Sequence, residues 1–87
     1  MNGKQIVISP HARFEMRRRG IAVNEVIAAI RRPGQVVPSE GGREIHQSFV
    51  GARSRLLLRV VVKETAAAYY VVTAYKTSKI AKCWVKS

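Results

Sequence analysis

Apolar positions follow a helical spacing in the first third of the chain and a strand-like alternation in the rest. Residues 6–8 predict a short first strand. Ser9-Pro10 then predicts the start of a helix, because serine caps free amide groups and proline fits the first helical turn. Gly20 is placed to end that helix in the left-handed conformation. A second helix is predicted over about 23–31, and four residues at helical spacing should face the core: Val23, Val26, Ile27 and Ile30.

After Pro33-Gly34 the pattern changes to that of β-strands. Pro38 favours a sheet edge for the strand before it, and the dense apolar run over 55–63 favours a central strand covered on both faces. The chain is therefore predicted to form a single α+β domain over 1–87, with two N-terminal helices packed on a mainly antiparallel sheet of about four strands. The predicted strands are 35–37, 43–50, 55–63 and 69–75.

The charge of the chain narrows its range of partners. Its 87 residues include 16 Lys and Arg but only 5 Asp and Glu, which gives a net charge of +11. So small and basic a domain is expected to bind polyanions. Nucleic acid is favoured over a membrane surface, because the basic residues are spread over several elements and do not form one amphipathic helix. An acidic protein partner also fits this charge.

The remaining composition excludes several classes of protein. Cys83 is the single cysteine, so neither an internal disulfide nor a cysteine-based metal site can form, which suits a reducing cytosol. The apolar runs are far below the roughly 20 residues that a membrane helix needs, and residues 1–8 lack the apolar core of a signal peptide. No metal-ligand spacing or nucleotide-binding fingerprint occurs. A cytoplasmic protein without a metal or another cofactor is expected.

Donor groups are densest where the last predicted strand ends. The five positions 75–79, directly after the residues predicted to be buried in that strand, include four donor residues: Tyr75, Lys76, Thr77 and Lys79. A phosphate is the natural ligand for such donors when a rigid sheet presents them. The alternative is a strand that ends in a solvated basic tail.

One arginine and two histidines are further candidates for chemistry. Arg59 alternates with apolar residues in the central strand, so its charge needs a partner or an anion unless it reaches solvent at a sheet edge. His11 lies beside free amide groups of the first helical turn, which favour a neutral imidazole acting as a base or donor, and Glu15 is placed to orient it. A capping or half-buried histidine is the alternative. For His46 a structural role is favoured over acid–base chemistry.

The first helix carries four arginines that cannot all meet one ligand. Arg13 and Arg17 share a face by their spacing, whereas Arg18 lies below His11 on the helix. Arg19 falls near the side that faces the sheet and is expected to tie the end of the helix to it.

An ordered set of short motifs resembles DUF4258, a family of short bacterial proteins of unknown function, and through it the RelE and BrnT toxins. The motifs are His11-Ala12, Met16, Arg19-Gly20-Ile21, Arg32-Pro33, 58–62 and 73–80. The resemblance implies a compact α+β fold, metal-independent cleavage of RNA, and an antitoxin protein as partner. The chain departs from the pattern at Ala22, where a serine is frequent, and no full RelE-type catalytic set maps onto it. Activity is thus inferred by analogy.

The leading hypothesis is a ribonuclease toxin in which the RNA 2′-hydroxyl is the nucleophile. The predicted catalytic set is His11 as acid or base, Arg59 and Lys79 as charge stabilisers, and Tyr75 as proton donor or stacking platform. The predicted nucleic-acid contacts are Arg13, Arg17, Arg18, Lys76 and Thr77. Two alternatives are a noncatalytic nucleic-acid-binding module and a protein-interaction domain whose basic face serves an acidic partner.

Overall fold

The structure, a computed structural model, describes residues 4–86 of the chain. Its elements are β1 (Gln5–Ile8), α1 (Pro10–Arg18), α2 (Val23–Arg31), β2 (Gln35–Pro38), β3 (Glu44–Val50), β4 (Leu56–Glu64), β5 (Ala68–Thr77) and α3 (Ile80–Cys83). Short 3₁₀ turns at Glu40–Gly42 and Ala52–Ser54 flank β3. None of the helices within residues 4–86 has the length and apolar character needed to span a membrane. The predicted α+β class is confirmed.

The five strands form one mixed sheet in the order β1-β5-β4-β3-β2. β4 is central and β2 lies at an edge, as the sequence predicts. The sheet has one strand more than the predicted count of about four, because β1, which was predicted as a short first strand, joins it by pairing in parallel with β5. Four residues carry no signal for a partner at the other end of the chain, so this pairing cannot be read locally.

Both ends of α1 are fixed by the residues that the sequence singles out. The Ser9 hydroxyl accepts a hydrogen bond from the Ala12 amide at 3.0 Å and donates to the Val71 carbonyl at 3.4 Å. Gly20 has φ +69°, and the next amide, of Ile21, donates to the Met16 carbonyl at 2.8 Å. The helix therefore ends in the left-handed glycine turn that was predicted.

The core lies between the two long helices and one face of the sheet. Leu58, Val60 and Val62 point to this face and are fully buried. The helices and β5 supply the other principal core residues: Ala12, Met16, Ile21, Val26, Ala29, Ile30, Val71 and Ala74. Val23 was expected in the core, but it is 37% exposed because it only begins α2, whereas Ala29, two residues before the helix end, is buried.

A β-bulge at Val72 changes which side chains of β5 face the helices. Val62 pairs with Val71, whereas the neighbouring Val61 pairs with Thr73, so Val72 is an extra residue. Beyond the bulge Ala74 faces the core and Tyr75 faces the opposite side of the sheet. Without the extra residue the alternation would direct Tyr75 toward the helices.

Candidate functional site

The sheet face opposite α1 and α2 carries a hydrogen-bonded cluster built from three neighbouring strands. Gln47 of β3 pairs with Arg59 of β4, which pairs with Tyr75 of β5. The Arg59 Nε donates to Gln47 Oε1 at 2.9 Å, and its Nη1 donates to the Tyr75 hydroxyl at 2.7 Å. The guanidinium carbon also lies 5.8 Å from the centroid of the Tyr75 ring. These residues are called the Arg59 cluster below.

The positive charge of Arg59 is not neutralised within the described part of the chain. Among residues 4–86, Arg59 forms no ion pair with an acidic side chain. Its partners are a neutral amide and a phenol, and Arg59 itself is only half-buried. A half-buried guanidinium with oriented donors and no carboxylate has the character of an anion site.

Gln47 is the member of the cluster that sequence reasoning missed. Its side chain is fully buried, and its Nε2 donates to Gln35 Oε1 at 2.7 Å and to the Cys83 carbonyl at 3.3 Å. The β3–β4 hairpin held a signal, since a loop over 51–54 brings position 47 close to position 59. That signal was not decisive, because a shift of one residue in the pairing turns every side chain to the other face.

The C-terminal segment, residues 80–86, lies on the same face as the Arg59 cluster. The Trp84 ring packs on Phe49 with 4.7 Å between ring centroids. Gln35 Nε2 donates to the Val85 carbonyl at 2.6 Å, and the Val85 amide donates to Gln35 Oε1 at 3.0 Å. These contacts hold the C-terminal segment against the sheet.

Lys79 and Thr77 lie at the turn from β5 into this segment. Lys79 is exposed, and its backbone amide donates to Thr77 Oγ1 at 3.0 Å. Thr77 therefore shapes the turn through its hydroxyl, and the Lys79 ammonium group is presented to solvent beyond the end of β5.

His11 is not brought together with the Arg59 cluster. It is exposed on α1, in the helical layer, whereas Arg59 and Tyr75 point to the other side of the sheet. Glu15 was expected to orient His11, but its carboxylate contacts Arg18 at 2.6 Å and Arg19 at 3.0 Å. The hydrogen bond from Arg18 is the main reason why the pKa of Glu15 lies below its usual value.

Arg19 ties the end of α1 to the sheet, as its position in the sequence predicts. β1 pairs with β5 only as far as Val71, and the next part of that β5 edge has no strand partner among residues 4–86. The Arg19 Nη1 donates there to the Ala74 carbonyl at 2.9 Å and to Thr73 Oγ1 at 3.3 Å.

The outer side of α1 presents basic groups around an exposed aromatic ring. Phe14 is 59% exposed, and Arg13, Arg17 and Arg18 are exposed near it on the helix. Arg13 and Arg17 also line a shallow cleft of about 260 Å³, whose other walls are Met16, Ile21, Ala22 and Val23. The shared face predicted for Arg13 and Arg17 is confirmed. Sequence reasoning did not consider Phe14, whose exposed ring lies on the same helix.

Lys76 lies on the helical side of the sheet and not beside Tyr75. It pairs with Leu58 in the register of β5, and its Nζ is 3.4 Å from Glu25 Oε2 of α2. Glu25 Oε1 also accepts the Ala22 amide at 3.0 Å, which stabilises the start of α2 in place of a capping hydroxyl. The Lys76 ammonium is thus engaged within the fold.

His46 occupies a buried position on the helical face, as the structural interpretation expects. It is 4% exposed, and neither ring nitrogen has a hydrogen-bond partner among residues 4–86. Burial lowers its pKa, while Glu44, whose Oε1 is 3.6 Å from the Nε2 of His46, opposes this shift. Nowhere in residues 4–86 do three or more His, Cys, Asp or Glu side chains form a group that could hold a metal ion.

A protein-family model matches most of the chain. The model of a domain of unknown function, DUF4258, matches residues 8–76. The chain belongs to the DUF4258 family. The matched part of this DUF4258 domain includes all three members of the Arg59 cluster, whereas Lys79 and the C-terminal segment lie beyond it.

The DUF4258 domain shares its fold with a solved structure. The Brucella abortus ribonuclease toxin BrnT superposes with a TM-score of 0.63 at 14% sequence identity, over 87% of this chain and 99% of that one. Among curated proteins none matches the DUF4258 chain. The predicted resemblance to DUF4258 and BrnT is therefore confirmed at the level of family and fold.

Proposed function

We propose that this DUF4258 domain is a toxin-like endoribonuclease that cleaves RNA by attack of the 2′-hydroxyl on the adjacent phosphate. The observation that carries the proposal is Arg59, a half-buried guanidinium held by Gln47 and Tyr75 without a carboxylate to neutralise it. The cluster is preorganised for an anion, and an RNA phosphate gains further negative charge as the reaction proceeds. The shared fold with a ribonuclease toxin is consistent with this activity.

The reaction needs charge stabilisation, proton removal and proton delivery. As the 2′-oxygen bonds to phosphorus and the bond to the 5′-oxygen breaks, Arg59 stabilises the charge on the non-bridging oxygens. The Tyr75 hydroxyl accepts its hydrogen bond from Arg59, so its own proton is free to pass to the leaving 5′-oxygen. Lys79 adds an exposed positive charge at the turn that follows β5.

The catalytic set proposed here differs from the set predicted by sequence in the group that removes the 2′-hydroxyl proton. The paired residues of β3, β4 and β5 on this face include no carboxylate and no imidazole, and His11 lies in the helical layer. We therefore assign the rate enhancement chiefly to charge stabilisation, with hydroxide or water taking the proton. The expected pH–rate profile rises through neutral pH without a bend near the usual pKa of histidine.

The sharpest test compares variants of the Arg59 cluster on RNA in the presence of EDTA. Replacing Arg59 by Met keeps most of the side-chain volume and removes the charge, so cleavage should fall by at least about 100-fold. Tyr75→Phe removes only the hydroxyl and should lower cleavage about 10- to 100-fold. Products should end in a 2′,3′-cyclic phosphate and a 5′-hydroxyl.

Two further variants serve as controls for this test. Arg43→Ala removes one exposed positive charge at the far end of the sheet and should leave cleavage unchanged. His11→Ala should retain cleavage within about threefold, because exposed His11 has no place in the proposed reaction. Equal cleavage by wild type and Arg59→Met would refute the assignment, and a bend in the pH profile that disappears in His11→Ala would restore His11 as the base.

A second candidate is a noncatalytic module, and the outer side of α1 favours it. An exposed phenyl ring beside three arginines can stack an unpaired base and hold its phosphates without any chemistry. This candidate predicts salt-dependent binding of RNA that stays intact.

For the toxin itself we also propose an antitoxin partner, to be tested by growth arrest on induced expression and its relief by the product of a neighbouring gene.

A further inference from the structure

Gln47 links the Arg59 cluster to the C-terminal segment through a chain of side-chain amides. A guanidinium only donates hydrogen bonds, so Gln47 must present its oxygen to Arg59. The Gln47 amide nitrogen is then directed away, toward Gln35 Oε1 at 2.7 Å and the Cys83 carbonyl at 3.3 Å. The charge at Arg59 thereby sets the orientation of the whole Gln47 amide.

The same constraint continues from Gln47 to the end of the chain. Gln35 Oε1 receives the Gln47 amide, so the Gln35 nitrogen is left to donate to the Val85 carbonyl at 2.6 Å. Gln35 Oε1 also accepts the Val85 amide at 3.0 Å. Each donor in this series meets an acceptor, and reversing any one amide would place two donors or two acceptors against each other.

Packing holds the C-terminal segment against these amides. The Trp84 ring lies on Phe49, and it approaches Gly34 so closely that a Cβ there would be 3.2 Å from the Trp84 Cη2 atom. The same Cβ would be 3.2 Å from the Gln47 carbonyl oxygen. Gly34 therefore lets the indole lie directly beside the β2–β3 pair that carries both glutamines.

We propose that Gln47 is a positioning residue that fixes the guanidinium of Arg59, and that the C-terminal segment controls how firmly it does so. The proposal rests on the function proposed for Arg59 but concerns its orientation, which can be measured without RNA. Gln47 touches no reacting atom. It keeps Nε of Arg59 occupied, so that only the outer guanidinium nitrogens are directed to Tyr75 and to a phosphate.

The test measures hydrogen exchange of the Arg59 Nε–H by NMR, assigned by its loss in Arg59→Met. In wild type this proton should exchange slowly, since Gln47 accepts it. Gln35→Leu and Trp84→Ala leave both Arg59 and Gln47 in place but weaken the segment. Gln35→Leu removes the acceptor of the Gln47 amide and should speed exchange about tenfold, as expected for the loss of one stabilising hydrogen bond. Trp84→Ala removes the ring that packs on Phe49 and should also speed exchange severalfold. Val85→Ala is the matched control, because Val85 contacts Gln35 through its backbone and its side chain is 56% exposed.

Direct substitutions of Gln47 separate its role as a hydrogen-bond acceptor from the effect of a negative charge at that position. Gln47→Leu should release the Arg59 proton fully, whereas Gln47→Glu no longer donates to Gln35 but offers Arg59 a charged acceptor, whose stronger hydrogen bond should restore slow exchange. On RNA, Gln35→Leu should lower kcat about tenfold with KM within about twofold, because orientation and not binding is lost. Gln47→Glu should abolish cleavage despite slow exchange, since its carboxylate neutralises Arg59.

The outcomes distinguish the two proposals. Exchange that is equally slow in wild type, Gln35→Leu and Trp84→Ala, with circular dichroism spectra that show folded protein, would overturn the coupling whatever the activity. Faster exchange in both variants without cleavage by wild type would support the positioning role of Gln47 and refute the ribonuclease. Faster exchange in Val85→Ala as well would mean general loosening and would also overturn the proposal.

Discussion

His46 shows at the scale of one residue how burial turns a polar group into a stability sensor. Its ring is 4% exposed and meets the edge of the Tyr69 ring at 5.8 Å between centroids. Glu44 and Glu64 favour the imidazolium through space, but the desolvation of the ring outweighs them and lowers the pKa of His46. The nearby Lys4 ammonium is paired with Glu64.

The consequence is a defined loss of stability in mild acid. Unfolded His46 titrates near 6.5, and the folded pKa lies below that value, so the unfolded chain binds protons more readily between the two. Its contribution is present above about pH 6.5 and is lost as the pH falls toward the folded pKa. His46→Leu should flatten this part of the stability curve in urea unfolding measured between about pH 5 and 7.

The carboxylates with lowered pKa values act in a different pH range from His46. Glu15 and Glu64, whose pKa values are lowered mainly by Arg18 and Lys4, lose their stabilising effect only below about 4.5. A slope that survives in His46→Leu would show that another group is responsible.

At the scale of the element, α1 depends on a cap that also connects two layers. Ser9 accepts the Ala12 amide and donates to the Val71 carbonyl, so one hydroxyl stabilises the helix start and attaches it to β5. Such contacts matter for a helix of nine residues, because short helices are marginal without capping and tertiary packing.

Removing the cap should lower global stability by a measurable amount. Ser9→Ala leaves the Ala12 amide unsatisfied and should reduce the free energy of unfolding by about 1 kcal/mol. Ser9→Asn offers an equivalent acceptor at the helix start and should recover most of that loss. Urea titrations of the three proteins check this, and equal midpoints for Ser9→Ala and wild type would show that the cap does not contribute.

At the scale of the whole molecule, three of the five acidic residues are concentrated at one end of the sheet, where they offset the basic residues around them. Glu40, Glu44 and Glu64 lie at the end where β3 begins and β4 ends. The remaining acids, Glu15 and Glu25, are paired with basic partners. The hairpin after β3 and the turn after β5 lie at the opposite end and carry only basic charges: Arg53, Arg55 and Lys79. A polyanion is therefore drawn toward that end.

The position of charge, and not only its sum, should govern RNA binding. Replacing Arg53 and Arg55 by Ala in the hairpin after β3 should lower affinity for single-stranded RNA and reduce the slope of log affinity against log salt by about 1.4, which corresponds to two lost phosphate contacts. Arg43→Ala with Lys63→Ala removes the same charge at the end that holds Glu40, Glu44 and Glu64 and should change the slope little. Fluorescence anisotropy at several salt concentrations measures both, and equal slopes for the two double variants would contradict the assigned surface.

Much of the fold was predictable because its signals are local. Ser9-Pro10, Gly20 and Pro33 mark helix boundaries through their own backbone chemistry, and the apolar run of β4 identifies a central strand. Arg59 stood out for the same reason, since a charge among alternating apolar residues requires an explanation wherever the strand lies.

The chain alone thus determined the α+β class, the basic character and the presence of a charge, Arg59, among the apolar residues of a central strand, because spacing and composition act over a few residues. Tertiary structure decided which groups meet. The bulge at Val72 turns Tyr75 toward Arg59, the register of β3 brings Gln47 to the same place, and the layer that holds His11 keeps it apart. A single residue of shift reverses the faces of a strand, so these juxtapositions depend on pairings between distant segments that no local pattern encodes.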